Sequence, residues 1–321
     1  FKPSISRGHG HTSKMASCAG TSGPLYQELV DLARYPIHDL DGPAGKELLS
    51  QCQAKLREDG CCCLDGFIHP NAIQQIAAEV AALPAYHRDE VVTAYGIRPP
   101  PAHAGPGHPH TRLWKQSAHA VSYDLIPVNA GINVVYRAPE VKQFLAGITR
   151  NPVIYEFKDE FQRLNIMYQQ EGDSRAWHYD GTDFVVTLML QPSEAGGVFE
   201  YAPFIRGHAP IEGPLQICTD ERYDDVQKLF DGEWSGLGRS SCRAGDLMIF
   251  NGQRTLHRVT AVVGRTTRIQ SVLSYHTQPP EDQMHALERK NVSLYGKRVA
   301  EIYRCRRENV EESAMKKAKL A

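Results

Sequence analysis

The sequence has no run of the roughly 18 to 20 consecutive apolar residues that a bilayer span requires, and its first thirty residues lack the apolar centre of a secretory signal. A soluble, cytoplasmic protein without a membrane partner is therefore expected. It also lacks a charge excess: 36 Lys and Arg stand against 37 Asp and Glu, a formal charge of −1. That balance excludes global attraction to nucleic acid, although a local basic patch stays open. Neither a basic groove nor interleaved aromatics stands out, so no nucleic-acid partner is expected. Eight cysteines in 321 residues are too few for a disulfide scaffold, and the run Cys61-Cys62-Cys63 lacks the CxxC spacing of a zinc knuckle. Reduced, structural thiols are the expectation. There is no internal repeat, and none of these features bears on oligomeric state.

What is present, 41% hydrophobic against 23% charged residues, suffices for one sizeable core. Residues 1–23, rich in Gly, Ser and His, show no apolar periodicity and are expected to be a disordered leader. Lys2, Arg7 and Lys14, with no acidic residue before Met15, leave open an organellar transit-like leader, translated upstream sequence or a cloning remnant. A single domain is expected over 24–308, with a helical cap region over 24–150 and a β-rich core over 151–298, followed by a charged tail at 309–321.

In the cap, Leu48, Leu49, Cys52 and Leu56 recur at helical spacing within 44–58, as do Ile73, Ile76, Val80 and Leu83 after Pro70. A short strand is expected between these helices at 61–67. Val141, Phe144, Leu145 and Ile148 mark a further helix over 139–148. Prolines and glycines between Ile97 and His110 forbid helix and central strand, so this stretch reads as a surface loop whose His103, His108 and His110 are structural. From Val153 to Tyr275 come seven short runs, VIYEF, FQRLNIMY, FVVTLML, GVFEY, DLMIF, LHRVTAV and TRIQSVLSY, broken by turn signals and by one helical insert at 222–230. Such a pattern indicates a sandwich or barrel, and with the cap an α+β fold.

Within Trp177-His178-Tyr179-Asp180, the histidine and aspartate are two apart, which on extended chain turns both side chains to one face. Two adjacent ligands of one metal need that geometry. His257, inside the run Leu256-His257-Arg258-Val259, is the candidate third ligand. Two histidines and one carboxylate form a facial triad that leaves coordination positions open, as iron(II) oxygen chemistry requires. Arg268, on the next run after the Val263-Gly264 turn, is placed to hold a carboxylate bidentately, with a solvated strand edge as its bland alternative.

At these residues the chain resembles the 2-oxoglutarate-dependent oxygenases, and within them the free-amino-acid radical halogenases and their hydroxylase relatives. The shared stretches are WHYDGTDF at 177–184, LMLQPSEAGGVFEY at 188–201, AGDLMIFNGQRTLHRVTAV at 244–262, RTTRIQSVLSYH at 265–276 and LYGKR at 294–298. The resemblance implies a double-stranded β-helix, a cupin-like jelly roll, flanked by the N-terminal helices. It implies that His178, Asp180 and His257 hold Fe(II), that Arg268 takes the distal carboxylate of 2-oxoglutarate, and that dioxygen is the second cosubstrate. Asn165 and Tyr168 are expected in the cosubstrate pocket, with core packing the equal alternative for Tyr168, and Trp177 is expected to pack against the site. Halogenases of this group carry a small residue where this chain has Asp180, leaving that position to chloride. The carboxylate therefore implies hydroxylation of an unactivated C–H bond, or desaturation or cyclisation, instead of halogenation. Group membership suggests a free amino acid or related small molecule as substrate, for which Thr182, Asp183, Arg112, Arg175 and Glu200 are candidate contacts. A metal-binding β-helix module without oxygenase activity is the alternative from another functional class.

Overall fold

A computed structural model describes residues 25–84, 87–95, 104–207, 222–283 and 287–320; the expected leader and His103 lie outside them. Helices α1 (Tyr26–Leu29), α2 (Pro43–Asp59) and α3 (Pro70–Ala81), with β1 (Cys61–Leu64) between the last two, lead into β2 (His87–Thr93) and β3 (Trp114–Val121). Helices α4 (Gly131–Arg137) and α5 (Pro139–Thr149) complete the cap. Pro43, Pro70 and Pro139 each open a helix, where a missing N–H leaves no bond unmade. Then come β4 (Tyr155–Glu156), β5 (Leu164–Gln169), β6 (Arg175–His178), β7 (Val185–Gln191), β8 (Ala195–Gly196) and β9 (Phe199–Ala202). Helix α6 (Tyr223–Phe230) precedes β10 (Gly238–Ser240), β11 (Leu247–Phe250), β12 (Leu256–Val259), β13 (Val262–Val263), β14 (Arg268–Leu273) and β15 (Tyr275–His276). Helices α7 (Glu288–Tyr295) and α8 (Lys297–Leu320) follow, so the expected charged tail continues a helix that is exposed over 309–316.

Seven strands form one antiparallel sheet in the order β1-β11-β7-β14-β5-β3-β2, and four form a second, β10-β9-β12-β6. The two sheets of this double-stranded β-helix face each other across a cavity, and strand alternation decides what enters it. On the large sheet, Leu164, Ile166, Val186, Leu188, Ile249 and Ile269 turn outward into the main apolar cluster with α2, α3, α4 and α5. Each such side chain, removed from water, stabilises the fold by about 1.5–3 kcal/mol. Their neighbours Asn165, Met167, Thr187, Met248, Arg268 and Gln270 turn inward and line the cavity. On the small sheet, Trp177 and Leu256 turn outward against α6, whereas His178, Phe199 and His257 turn inward.

Strands β2 and β3 fall inside the stretch expected to be a helical cap. They extend the large sheet beyond β5 at its edge, where His87-Arg88-Asp89-Glu90-Val91-Val92-Thr93 and its partner carry too many polar residues for an interior-strand signal. Among the described residues, no helix is long and apolar enough to cross a membrane.

Candidate metal and cosubstrate site

His178 and His257 are register partners across the β12–β6 ladder, with ring centroids 4.2 Å apart. Asp180 follows two residues after His178 and reaches both, its carboxylate oxygens lying 3.8 Å from His178 Nε2 and 3.1 Å from His257 Nε2. The three donor atoms lie within 4.8 Å of one another. Each ring is anchored from behind: His178 Nδ1 donates to the Ala176 carbonyl at 2.7 Å and His257 Nδ1 to the Thr255 carbonyl at 2.8 Å. A carbonyl can only accept, so each proton sits on Nδ1 and each Nε2 turns a lone pair inward. Asp180 Oδ2 is buried and receives no hydrogen bond. Electron pairs that converge with no proton between them fit a cation, and two imidazoles with one carboxylate suit a divalent transition metal such as iron(II).

The protonation states agree with this. Burial, joined by His257, pulls the His178 pKa down from 6.5 to about 3, so the ring is neutral near pH 7. Burial pushes the Asp180 carboxyl up, but the charge that His257 and then His178 carry when protonated outweighs it and holds the group below the usual carboxylate range, so as pH falls a ring gains a proton before Asp180 does. A second cluster, Cys63, Asp65 and Asp246, has donor atoms equally close. There, however, the Asp246 oxygens accept the Gly66 and Arg243 amides, each at 2.7 Å, and so tighten a turn. His108 and His110 stack with each other and against Tyr223, and neither lines the cavity.

Arg268 lies in the same cavity, only 3% exposed. Its guanidinium donates to the Gly197 carbonyl at 3.1 Å, to Gln169 Oε1 at 2.8 Å and to Gln270 Oε1 at 2.8 Å. These acceptors are neutral, and no carboxylate among the described residues pairs with it. Burial pulls its pKa down to about 10, which leaves it charged. A buried cation held by neutral groups can take an anion, and two of its five N–H donors remain for one. Gly197, left-handed at φ +60°, makes the arrangement possible: a Cβ there would meet the Arg268 Cδ at 2.8 Å.

The other expected contacts divide. Asn165, Thr182 and Arg175 line the cavity, which has a volume of about 270 Å³. Tyr168 does not: three positions from Asn165, it faces the opposite side of β5 and donates to the Val80 carbonyl of α3 at 2.6 Å. Trp177 likewise points away from His178, Asp180 and His257, under the Arg258 guanidinium and against Phe230. Glu200 is on that outer face too, its carboxylate bound by Arg239 at 2.9 Å and Arg258 at 2.7 Å. Arg112 pairs with Asp231 at 3.1 Å and packs over Trp114, outside the cavity. Asp183 accepts from Thr277 Oγ1 at 2.9 Å and is not a lining residue. The sequence reading missed Gln169 and Gln270, which hold Arg268, and also Thr187, His276 and Lys290 on the cavity wall. Alternation from Asn165 and Arg268 points to the two glutamines.

The family model described as halogenase D matches residues 110–295, more than half of the chain. No curated protein matches. Similar solved structures include an oxidoreductase of the 2OG-Fe(II) oxygenase family from Burkholderia pseudomallei, with 14% identity over 72% of this chain and 91% of that one and a TM-score of 0.46. Another is HygX from Streptomyces hygroscopicus with nickel, 2-oxoglutarate and hygromycin B bound, at 11% identity over 70% and 86% with a TM-score of 0.45. A third is the α-ketoglutarate-dependent epimerase SnoN from nogalamycin biosynthesis, at 16% over 72% and 83% with a TM-score of 0.46. His178, Asp180, His257 and Arg268 all fall inside the stretch that the family model matches, and the chain belongs to the halogenase D family.

Proposed function

We propose that the protein is an iron(II)- and 2-oxoglutarate-dependent dioxygenase that hydroxylates an unactivated C–H bond of a small substrate, releasing succinate and CO2. Bound together, iron(II), 2-oxoglutarate and dioxygen would supply the oxidising power that no side chain has. The protein's own residues do the positioning. His178 and His257 offer fixed Nε2 lone pairs because the Ala176 and Thr255 carbonyls lock their tautomers. Arg268, clamped by Gln169, Gln270 and Gly197, sets the depth at which the distal carboxylate of the cosubstrate stops. Phe184, Phe199, Met248 and Phe250 give the cavity apolar walls that limit water.

The observation that carries hydroxylation is Asp180. Its carboxylate converges with both imidazoles, so the third protein donor is present where a halogenase of this family would leave a place for halide. Desaturation and cyclisation use the same metal set, and product mass separates them. Incubating the protein with iron(II), ascorbate, 2-oxoglutarate and chloride over a panel of small acids and amino acids should yield a product heavier by one oxygen. A chlorine isotope pattern would refute the reading, loss of two hydrogens would redirect it to desaturation or cyclisation, and no succinate from any mixture would leave a binding module.

A further inference from the structure

Helix α7 contributes a wall to the cavity that holds the metal ligands. Leu287 at its start, Lys290 and Leu294 all line that cavity, and their spacing of three and four residues puts them on one helix face. Two apolar side chains thus bracket one cation. Lys290 remains exposed there, and no ion pair ties it to another described residue. The acids whose charge acts on it are Asp180 and Asp159. Asp180 belongs to the metal set. The Asp159 carboxylate is taken up by the Phe161 amide at 2.9 Å, the Gln162 amide at 2.8 Å and Asn291 Nδ2 at 3.0 Å. Arg175 and Arg268 are the other cationic side chains of the same cavity.

The cavity's acids tell the other half. Among the described lining residues, Asp180 is the only carboxylate. Glu200 and Asp183, the acids that an amino-acid ammonium would want, serve Arg239 with Arg258 and Thr277 respectively. An ammonium brought into such a cavity loses water and gains no free counter-charge among the described lining residues, whereas an anion meets one beside Lys290. We propose, resting on the oxygenase reading above, that Lys290 binds an anionic group of the substrate. The site then takes carboxylic acids and sets no requirement for an amine. Arg268 lies among Gln169, Gln270 and Gly197, so Arg268 and Lys290 serve different carboxylates: one on the cosubstrate and one on the substrate.

Three probes of matched length decide this: hexanoate, hexylamine and norleucine, with binding to the full chain followed by saturation-transfer NMR and succinate release measured alongside. Hexanoate should bind, norleucine should bind more weakly because its ammonium is desolvated without a partner, and hexylamine should not bind. Lys290→Met should weaken hexanoate binding about tenfold, the scale of one lost charge-assisted bond. Lys290→Arg should restore it to within about threefold, and Lys290→Glu should shift preference to hexylamine. Hexylamine binding as tightly as hexanoate, or hexanoate binding unchanged in Lys290→Met, would overturn the proposal. Absence of succinate from the unsubstituted protein would remove the oxygenase reading, and the binding measurements would still decide on Lys290.

Discussion

Gly252 abuts the Asp180 carboxylate so closely that a Cβ on residue 252 would lie 2.3 Å from Asp180 Oδ2. The Gly252 carbonyl also accepts the Asp180 amide at 3.0 Å, so one residue fixes both backbone and side chain of the proposed acidic ligand. Gly252→Ala should therefore displace the carboxylate and weaken iron(II) binding by about ten- to a hundredfold, the range for losing the support of a ligand. Titration of the metal-free protein would measure it. Unchanged affinity would mean that Asp180 is not a metal ligand.

Arg268 should govern the cosubstrate. Arg268→Met keeps much of the side-chain volume but removes the cation, and the apparent KM for 2-oxoglutarate should rise by at least about tenfold, since a hydrogen-bonded charge contributes roughly 1.5–3 kcal/mol. Steady-state succinate formation gives the constant, and a KM within about twofold of the parent value would assign the carboxylate to another cation.

Tyr168 makes the opposite case. Its hydroxyl donates to the Val80 carbonyl on the helix side of the sheet, so Tyr168→Phe should lower stability by about 1–2 kcal/mol while leaving the KM for 2-oxoglutarate alone. Denaturant unfolding and steady-state kinetics on one preparation test both halves. A raised KM with unaltered stability would return Tyr168 to the pocket.

The placement of the candidate site residues was legible in the sequence where it is local. His178 and Asp180 share a face because they are two apart on extended chain, and Leu48, Cys52 and Leu56 announce α2 through helical spacing. The same alternation excludes Tyr168 once Asn165 is placed inward, because three positions reverse the face. Glu200 and Arg112 are different. Their partners Arg239, Arg258 and Asp231 are distant in sequence, the last 119 positions away, and a single sequence carries no record of such pairings. Strands β2 and β3 were illegible for a related reason: β2 is the edge of the large sheet, and β3 pairs with β5 only at His119, Ala120 and Val121, so both keep polar residues that a strand paired along its whole length on both sides would not.

Acid should destabilise the metal-free protein through His178. Burial depresses its folded pKa from 6.5 to about 3, so below 6.5 the unfolded chain takes a proton that the folded ring refuses. The stability contributed by the neutral ring is complete above pH 6.5 and is lost progressively as pH falls toward 3. Urea unfolding between pH 7.5 and 5 should show falling stability with a slope approaching one proton per chain, and His178→Asn, which cannot titrate, should flatten it. An equal slope in the two proteins would place the proton elsewhere.

If His178, Asp180 and His257 hold the iron that activates 2-oxoglutarate, succinate release depends on them. The unsubstituted protein with iron(II), ascorbate, dioxygen and 2-oxoglutarate should release succinate, faster when an acid substrate is present. His178→Ala and His257→Ala, folded as judged by circular dichroism, should release none above background. No succinate from the unsubstituted protein across the substrate panel, or parent-like rates in either variant, would contradict the account.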